Sequence, residues 1–107
     1  MKSLFLILSF FFSVNAFAGN SYCDSRPQQR SKVMCYEQAI TMQNNLVQTN
    51  YNALSSKMPS KQFNALVEEG RHWSAEVNNR CTTSLVCVHD SLRNRNDYLA
   101  DLRRKYK

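Results

Sequence analysis

The spacing of apolar residues divides most of the chain into three segments with helical periodicity, and only two glycines and two prolines punctuate it. In residues 27–55 apolar side chains recur at steps of three and four on one narrow face, which is typical of an amphipathic helix. The residues on this face are Val33, Tyr36, Ile40, Val47, Tyr51 and Leu54. Pro27 suits the first turn of this helix, because backbone N–H groups there have no partner within the helix.

A break at residues 56–60, which contains Pro59, separates this segment from a second one at residues 61–79. Ser60 is expected to cap the second helix at its N-terminus. After a turn at residues 80–84, a third helix is predicted. The apolar face of the second helix is formed by Phe63, Leu66, Val67, Trp73 and Val77, and that of the third by Leu85, Val88, Leu92, Leu99, Leu102 and Tyr106.

Three amphipathic helices with short connections bury their apolar faces by packing against one another. The sequence therefore predicts an all-α fold, namely an antiparallel three-helix bundle, with an extended helical hairpin as the alternative. Trp73 is expected in the core. Gly70, one turn earlier, lowers helix propensity by about 1 kcal/mol, and we expect a close helix contact there to offset this cost.

Two polar residues, Asn44 and Arg95, fall in the middle of the apolar faces of the first and third helices. A bundle directs both inward. Since arginine keeps its charge, it needs acceptors, and Asn44, Glu37 or a backbone carbonyl is expected to receive it. The alternative is that Arg95 lays its aliphatic stem over Leu92 and Leu99 and keeps its charge in water.

The first 18 residues have the pattern of a secretory signal peptide. A cationic start is followed by an apolar run at residues 4–12 and by the small residues Ala16 and Ala18. The run is about half of the roughly 20 residues that a helix needs to span a bilayer, so a retained anchor is the less favoured alternative. Gly19 follows the expected cleavage point where a lipidated chain needs cysteine. A single exported domain of residues 19–107 is predicted, without a membrane span.

Four cysteines, an even number in a small exported domain, predict a disulfide framework. They permit three pairings, of which the local one needs no particular tertiary arrangement and adds roughly 2–3 kcal/mol per bridge. This local pairing joins Cys23 to Cys35 and Cys81 to Cys87. Zinc binding is disfavoured, because neither CxxC nor HxxxH occurs.

No residue pattern typical of catalysis is present. Glu68 and Glu69 are adjacent, so on a helix they diverge by about 100°. His72 and His89 are expected at the surface, since nothing recognisable orients either of them. We therefore predict that the protein is not an enzyme and that it has no cofactor and no metal.

The positive charge is concentrated near the C-terminus. Residues 19–107 contain 13 Lys and Arg against 8 Asp and Glu, and from Arg93 onward there are six cations against two carboxylates. Such a segment can contact anionic lipid or cell-wall polymer. The other interpretation is that the cations complement the dipole at the helix end. Nucleic acid is not an expected partner of an exported protein.

The cysteines and aromatic residues have a distinctive spacing, set by Cys23, Cys35, Tyr51, Trp73, Cys81 and Cys87, with Arg95 late in the chain. This spacing resembles that of the LprI-like lysozyme inhibitor family of small exported bacterial domains. The resemblance spans nearly the whole of residues 19–107. Asn44 stands where the family usually has Asp, Gln43 replaces the preceding Leu, and Gly70 occupies the Gln position three before Trp73. The matching positions are Cys23, Cys35, Ile40, Val47, Tyr51, Trp73, Cys81, Cys87, Arg95 and Leu99.

The resemblance implies a helical, disulfide-bonded domain that binds and inhibits lysozyme. Glu69 and Glu76 lie on one side of the second helix and are the expected contacts with such a partner. One alternative function is an envelope-associated protein whose basic last helix contacts anionic polymer or lipid. Another is a dithiol redox protein that uses Cys81 and Cys87, which requires an exposed thiol of low pKa.

Overall fold

A computed structural model describes residues 23–25 and 27–107, and this part of the chain is all-α. Helix α1 spans Gln29–Ser55, α2 spans Ser60–Cys81 and α3 spans Leu85–Lys105. The predicted signal peptide and its cleavage point after Ala18 lie outside the described residues. The all-α prediction with three helices is confirmed.

The helix ends differ by one or two residues from the predicted ones. Helix α1 begins two residues after Pro27, and Gln28 takes the N-cap position in an extended conformation. Helix α2 begins at Ser60, so that Pro59 holds its N-cap position and Ser60 is the first helical residue. Ser84 caps α3, since its hydroxyl accepts a hydrogen bond from the backbone N–H of Cys87 at 3.2 Å.

The helices form an up-down-up bundle in which each helix is antiparallel to the next. Helices α1 and α3 are therefore parallel, and they form the most closely packed pair. Their direction follows from two hydrogen-bonded pairs seven residues apart on both helices, Gln43–Asn96 and Asn50–Arg103. The bonds between α2 and α3 run in the opposite order, Glu69–Arg95 and Gln62–Tyr106.

Buried apolar residues form two clusters at opposite ends of the bundle. At one end, Leu85 packs against a cluster of Cys23, Cys35 and Tyr36. At the other, Leu54, Leu66 and Leu99 form the centre of a larger cluster. Leu54 and Leu99 are both 0% exposed, and each adds about 1.5–3 kcal/mol by its removal from water. Half-buried residues surround this second cluster: Val47, Tyr51, Met58, Phe63, Leu102 and Tyr106.

Two disulfides close the end that lacks a large apolar core. Cys23–Cys35 ties the incoming segment to α1, and Cys81–Cys87 bridges the turn between α2 and α3. The predicted local pairing is thus confirmed. Thr82 lies in the turn that the Cys81–Cys87 disulfide closes. Its φ is 49°, in the left-handed region that a β-branched residue rarely adopts. The seven-residue Cys81–Cys87 loop holds it there.

Two predicted placements are wrong. Asn44 is exposed. Helix α1 directs Tyr36, Asn50 and Leu54 toward α3, with which it packs closely. Asn44 lies instead on the side of α1 that faces α2, and α1 packs less closely against α2. His89 is 1% exposed, although we predicted it at the surface. The packing of α3 against α1 buries a wider face of α3 than its apolar residues alone indicate. His72 is exposed, as expected.

Candidate functional site

A buried arginine joins all three helices at the middle of the bundle. Arg95 of α3 is 5% exposed, and its guanidinium forms a two-pronged ion pair with Glu69 of α2. Its Nη1 donates to Oε2 of Glu69 at 2.9 Å, and its Nη2 donates to Oε1. Nη2 also donates to the hydroxyl of Tyr51 on α1 at 2.9 Å. We call Arg95, Glu69 and Tyr51 the Arg95 cluster.

Two aromatic rings contact the same guanidinium. The Arg95 carbon Cζ lies 5.1 Å from the ring centroid of Trp73 and 5.1 Å from that of Tyr98, within the range of cation–π attraction. Burial opposes the charged form, but the hydrogen bonds to Glu69 and Tyr51 outweigh it and raise the pKa of Arg95. Arg95 thus stays charged inside the bundle.

Gly70 allows this arrangement to form. A Cβ atom at position 70 would lie 2.5 Å from the hydroxyl oxygen of Tyr51 and 3.3 Å from Nη2 of Arg95. The first distance is too short for any non-bonded contact. The predicted close helix contact at Gly70 is therefore confirmed, and its reason is the approach of the Tyr51 hydroxyl to the α2 backbone.

The acceptors predicted for Arg95 are wrong. Neither Asn44 nor Glu37 receives its guanidinium, and the alternative in which only its stem is buried is also wrong. The register of α2 against α3 places Glu69 opposite Arg95, and this register is not visible in the sequence of either helix alone. A glycine directly after Glu69 was the one local sign that another helix comes close there.

A groove of about 400 Å³ lies beside the Arg95 cluster, between α1 and α2. Its walls are partly apolar, and Asn44 and Gln48 lie on the α1 side. Trp73, predicted in the core, is half-buried and lines this groove. Ile40 is half-buried on α1.

At the contact between α2 and α3, an exposed aromatic residue lies next to the ion pair of Arg95 and Glu69. Tyr98 is 45% exposed, and its ring contacts Arg95, which also holds Glu69. Glu76 is exposed and follows Glu69 by seven residues, or about two helical turns, on the same side of α2. Because α2 and α3 are antiparallel, Glu76 and Tyr98 lie on opposite sides of the pair of Arg95 and Glu69, so these residues form an elongated surface. We call Tyr98, Glu69 and Glu76 the Tyr98 surface. Glu68 points elsewhere and pairs with Arg71 at 3.3 Å.

The two predicted contact residues have different surroundings. The side chain of Glu69 is 50% exposed, but both of its oxygens accept hydrogen bonds from Arg95. Glu69 thus has a role within the fold. Glu76 has no such contact with Arg95 and presents its carboxylate at the surface. Tyr98 was missed by the sequence analysis, because its position on α3 lies outside the apolar stripe.

The described residues that connect the helices form a structural framework. No group of His, Cys, Asp and Glu among residues 23–25 and 27–107 has the arrangement of a metal site. All four cysteines are in disulfides. The redox alternative needs an accessible sulfur. Cys81 is 2% exposed, whereas its partner Cys87 is half-buried. None of the described helices combines the length and apolar character needed to cross a bilayer.

The fold and this site define a small helical domain that is closed by two disulfides and fixed internally by a buried arginine. The family model described as "Lysozyme inhibitor LprI" matches residues 23–103, and the chain belongs to this family. The match includes all four cysteines and the whole Arg95 cluster. Comparisons with curated proteins and with solved structures give no match.

Proposed function

We propose that this protein is an exported inhibitor that binds a lysozyme-type muramidase and has no enzymatic activity of its own. The observation that carries the proposal is the family match over residues 23–103. The proposal includes export to the periplasm or the cell exterior, with the signal peptide removed after Ala18. A rigid domain with two disulfides suits such a location, where thiols are oxidised.

We place the contact with the muramidase at the Tyr98 surface. Exposed tyrosine residues are frequent among the residues that dominate binding energy at interfaces. The ring of Tyr98 already packs against the buried Arg95, so its immobilisation on binding costs little conformational entropy. Glu76 adds a carboxylate that can meet a basic partner. Glu69 supports this surface by holding Arg95 beneath Tyr98.

Charge affects the rate of binding separately from the contact. Residues 19–107 carry 13 cations against 8 carboxylates, so a basic muramidase is repelled at long range. Salt screens this repulsion over about 10 Å at 0.1 M. The association rate with a basic muramidase should therefore increase between low and moderate salt, while a muramidase of acidic net charge should associate more slowly as salt rises.

The test is inhibition of lysozyme by the purified, oxidised protein of residues 19–107 at low and moderate salt. We expect inhibition that is lost after reduction of the disulfides. Tyr98→Ala should weaken binding by at least about fivefold, the loss of more than 1 kcal/mol typical of a dominant interface residue. Its matched control is Met34→Ala, which removes another exposed apolar side chain, 52% exposed, far along α1.

A second pair of variants tests the charge. Glu76→Lys should weaken inhibition of a basic lysozyme, whereas Glu37→Lys makes the same charge change at an exposed position on α1 and should leave it unchanged. If the oxidised protein does not inhibit at micromolar concentration, the proposed function is wrong. If it inhibits but all four variants behave like the parent protein, the function stands and the Tyr98 surface is not the contact.

A further inference from the structure

We propose that a basic pocket at the C-terminal ends of α1 and α3 binds phosphate groups, such as those of anionic phospholipids or of phosphate-containing polymers. We define the basic pocket by its four cationic residues, Lys57, Arg103, Arg104 and Lys107. It is distinct from the Tyr98 surface, and the inference does not depend on muramidase binding.

The topology of the bundle creates this pocket. Because α1 and α3 are parallel, both C-terminal ends meet at the same end of the molecule. A cavity of about 480 Å³ lies between them, over a floor that includes Ala53, Leu54 and Ala100. The cavity exists because the side chains of the two alanines are small. The four long cationic side chains line its rim.

A buried row of amides fixes one of these cations in place. Nη1 of Arg103 donates to Oδ1 of Asn50 at 3.0 Å, and Nδ2 of Asn50 donates to Oδ1 of Asn96 at 3.0 Å. Asn96 in turn donates to the side-chain oxygen of Gln43 at 2.7 Å. Asn50 is 3% exposed and Asn96 is 5% exposed.

This row has a cost that packing alone does not explain. Buried amides destabilise a fold unless they are hydrogen-bonded, and apolar residues of similar size would pack there without that condition. The row ends on Arg103, whose side chain also lines the cavity. We interpret the amides as positioning residues for the guanidinium of Arg103.

The cations exceed the number that the helix ends require. Arg104 pairs with Asp101. The two helix C-termini together carry roughly one negative charge, and their influence fades within the last turn. Arg103 and Arg104 lie in the last turn of α3, but Lys57 follows the end of α1 and Lys107 follows the end of α3. In the protein of residues 19–107, whose α-carboxylate at Lys107 adds one negative charge, the pocket keeps an excess of about one positive charge, which attracts anions.

The test measures binding of the oxidised protein of residues 19–107 to phosphatidylcholine vesicles with and without phosphatidylglycerol, and to soluble inorganic polyphosphate. Each cation near an anionic surface contributes a factor of about five. The double variant K57Q/K107Q should therefore bind about 25-fold more weakly. Its control, R30Q/K32Q, removes two cations from the opposite end of α1 and should bind within about twofold of the parent protein.

Thermal unfolding separates binding from stability. K57Q/K107Q should unfold at the temperature of the parent protein, since neither lysine lies within a helix. Binding to anionic vesicles alone supports the proposal and assigns the phosphate to lipid headgroups; binding to polyphosphate as well supports it and extends it to polymers. An equal loss in both double variants, or no binding of the parent protein to either probe, overturns the proposal.

Discussion

Substitution of Gly70 by alanine should destabilise the protein, although alanine is the better helix former. In an exposed helix interior Gly→Ala adds about 1 kcal/mol to stability. At position 70 the new Cβ atom would lie 2.5 Å from the hydroxyl oxygen of Tyr51. The Tyr51 ring must therefore move, and its hydrogen bond with Arg95, 2.9 Å long, must lengthen or break.

The magnitude follows from that bond. A hydrogen bond to a charged group contributes about 1.5–3 kcal/mol, and Arg95 at 5% exposure has little access to water as a replacement acceptor. After subtraction of the gain in helix propensity, we expect G70A to lower the free energy of unfolding by about 0.5–2 kcal/mol. For a domain of this size that lowers the Tm by roughly 2–16 °C.

Tyr51→Phe supplies the matched background. Once the hydroxyl is gone, the nearest atoms to the new Cβ are Nη2 of Arg95 at 3.3 Å and Cζ of Tyr51 at 3.5 Å, which small shifts accommodate. In the Y51F background G70A should therefore be neutral or stabilising by up to about 1 kcal/mol. The four proteins to compare, all oxidised, are the parent, G70A, Y51F and the double variant. Urea unfolding of these four gives the coupling energy between positions 51 and 70. Equal destabilisation by G70A in both backgrounds would refute the reasoning.

Two further predictions concern buried polar side chains. Arg95→Lys should destabilise the protein by about 2–3 kcal/mol, because an ammonium cannot make the two-pronged pair with Glu69 and also reach Tyr51. Urea unfolding measures this loss. A loss below about 0.5 kcal/mol, the size of an ordinary surface substitution, would contradict the prediction. Burial and the hydrogen bond that its hydroxyl donates to Asp24 raise the pKa of Tyr36 to about 12. The folded state therefore holds this proton more tightly than the unfolded state, whose tyrosine pKa is about 10, so stability should fall as the pH rises from about 10 to 12. Tyr36→Phe should remove this part of the pH dependence, as measured by urea unfolding at pH 9 and 11, and an unchanged slope would contradict the assignment.

Helix positions and disulfide pairing were predictable because both depend on local sequence. The apolar period marks each helix through residues such as Leu54 and Leu99, which are 0% exposed in the bundle. The pairs Cys23–Cys35 and Cys81–Cys87 close loops within one segment or one turn, so no tertiary information was needed to prefer them.

The polar interior was not predictable, because it depends on how the helices are rotated against one another. A rotation of α1 toward α3 buries Asn50 and leaves Asn44 exposed, although Asn44 is the residue centred in the apolar stripe. His89 is buried by the same pairing. The ring of Tyr36 packs edge-on against the imidazole of His89, and the two ring centroids are 6.3 Å apart. Nε2 of His89 has no hydrogen-bond partner in the described part of the chain.

The family resemblance and the proposed partner contact depend on different residues. Tyr51, Trp73 and Arg95 meet in the Arg95 cluster and its aromatic wall, where they hold three helices together. A match at these positions therefore indicates a shared framework. Binding depends on what the framework presents, and here Arg95 supports the exposed ring of Tyr98. If R95K is shown by circular dichroism to be folded under the assay conditions, loss of its inhibition without loss at Tyr98→Ala would place the partner elsewhere on the same framework. The groove between α1 and α2, which Arg95 and Trp73 also line, would then be the first site to test.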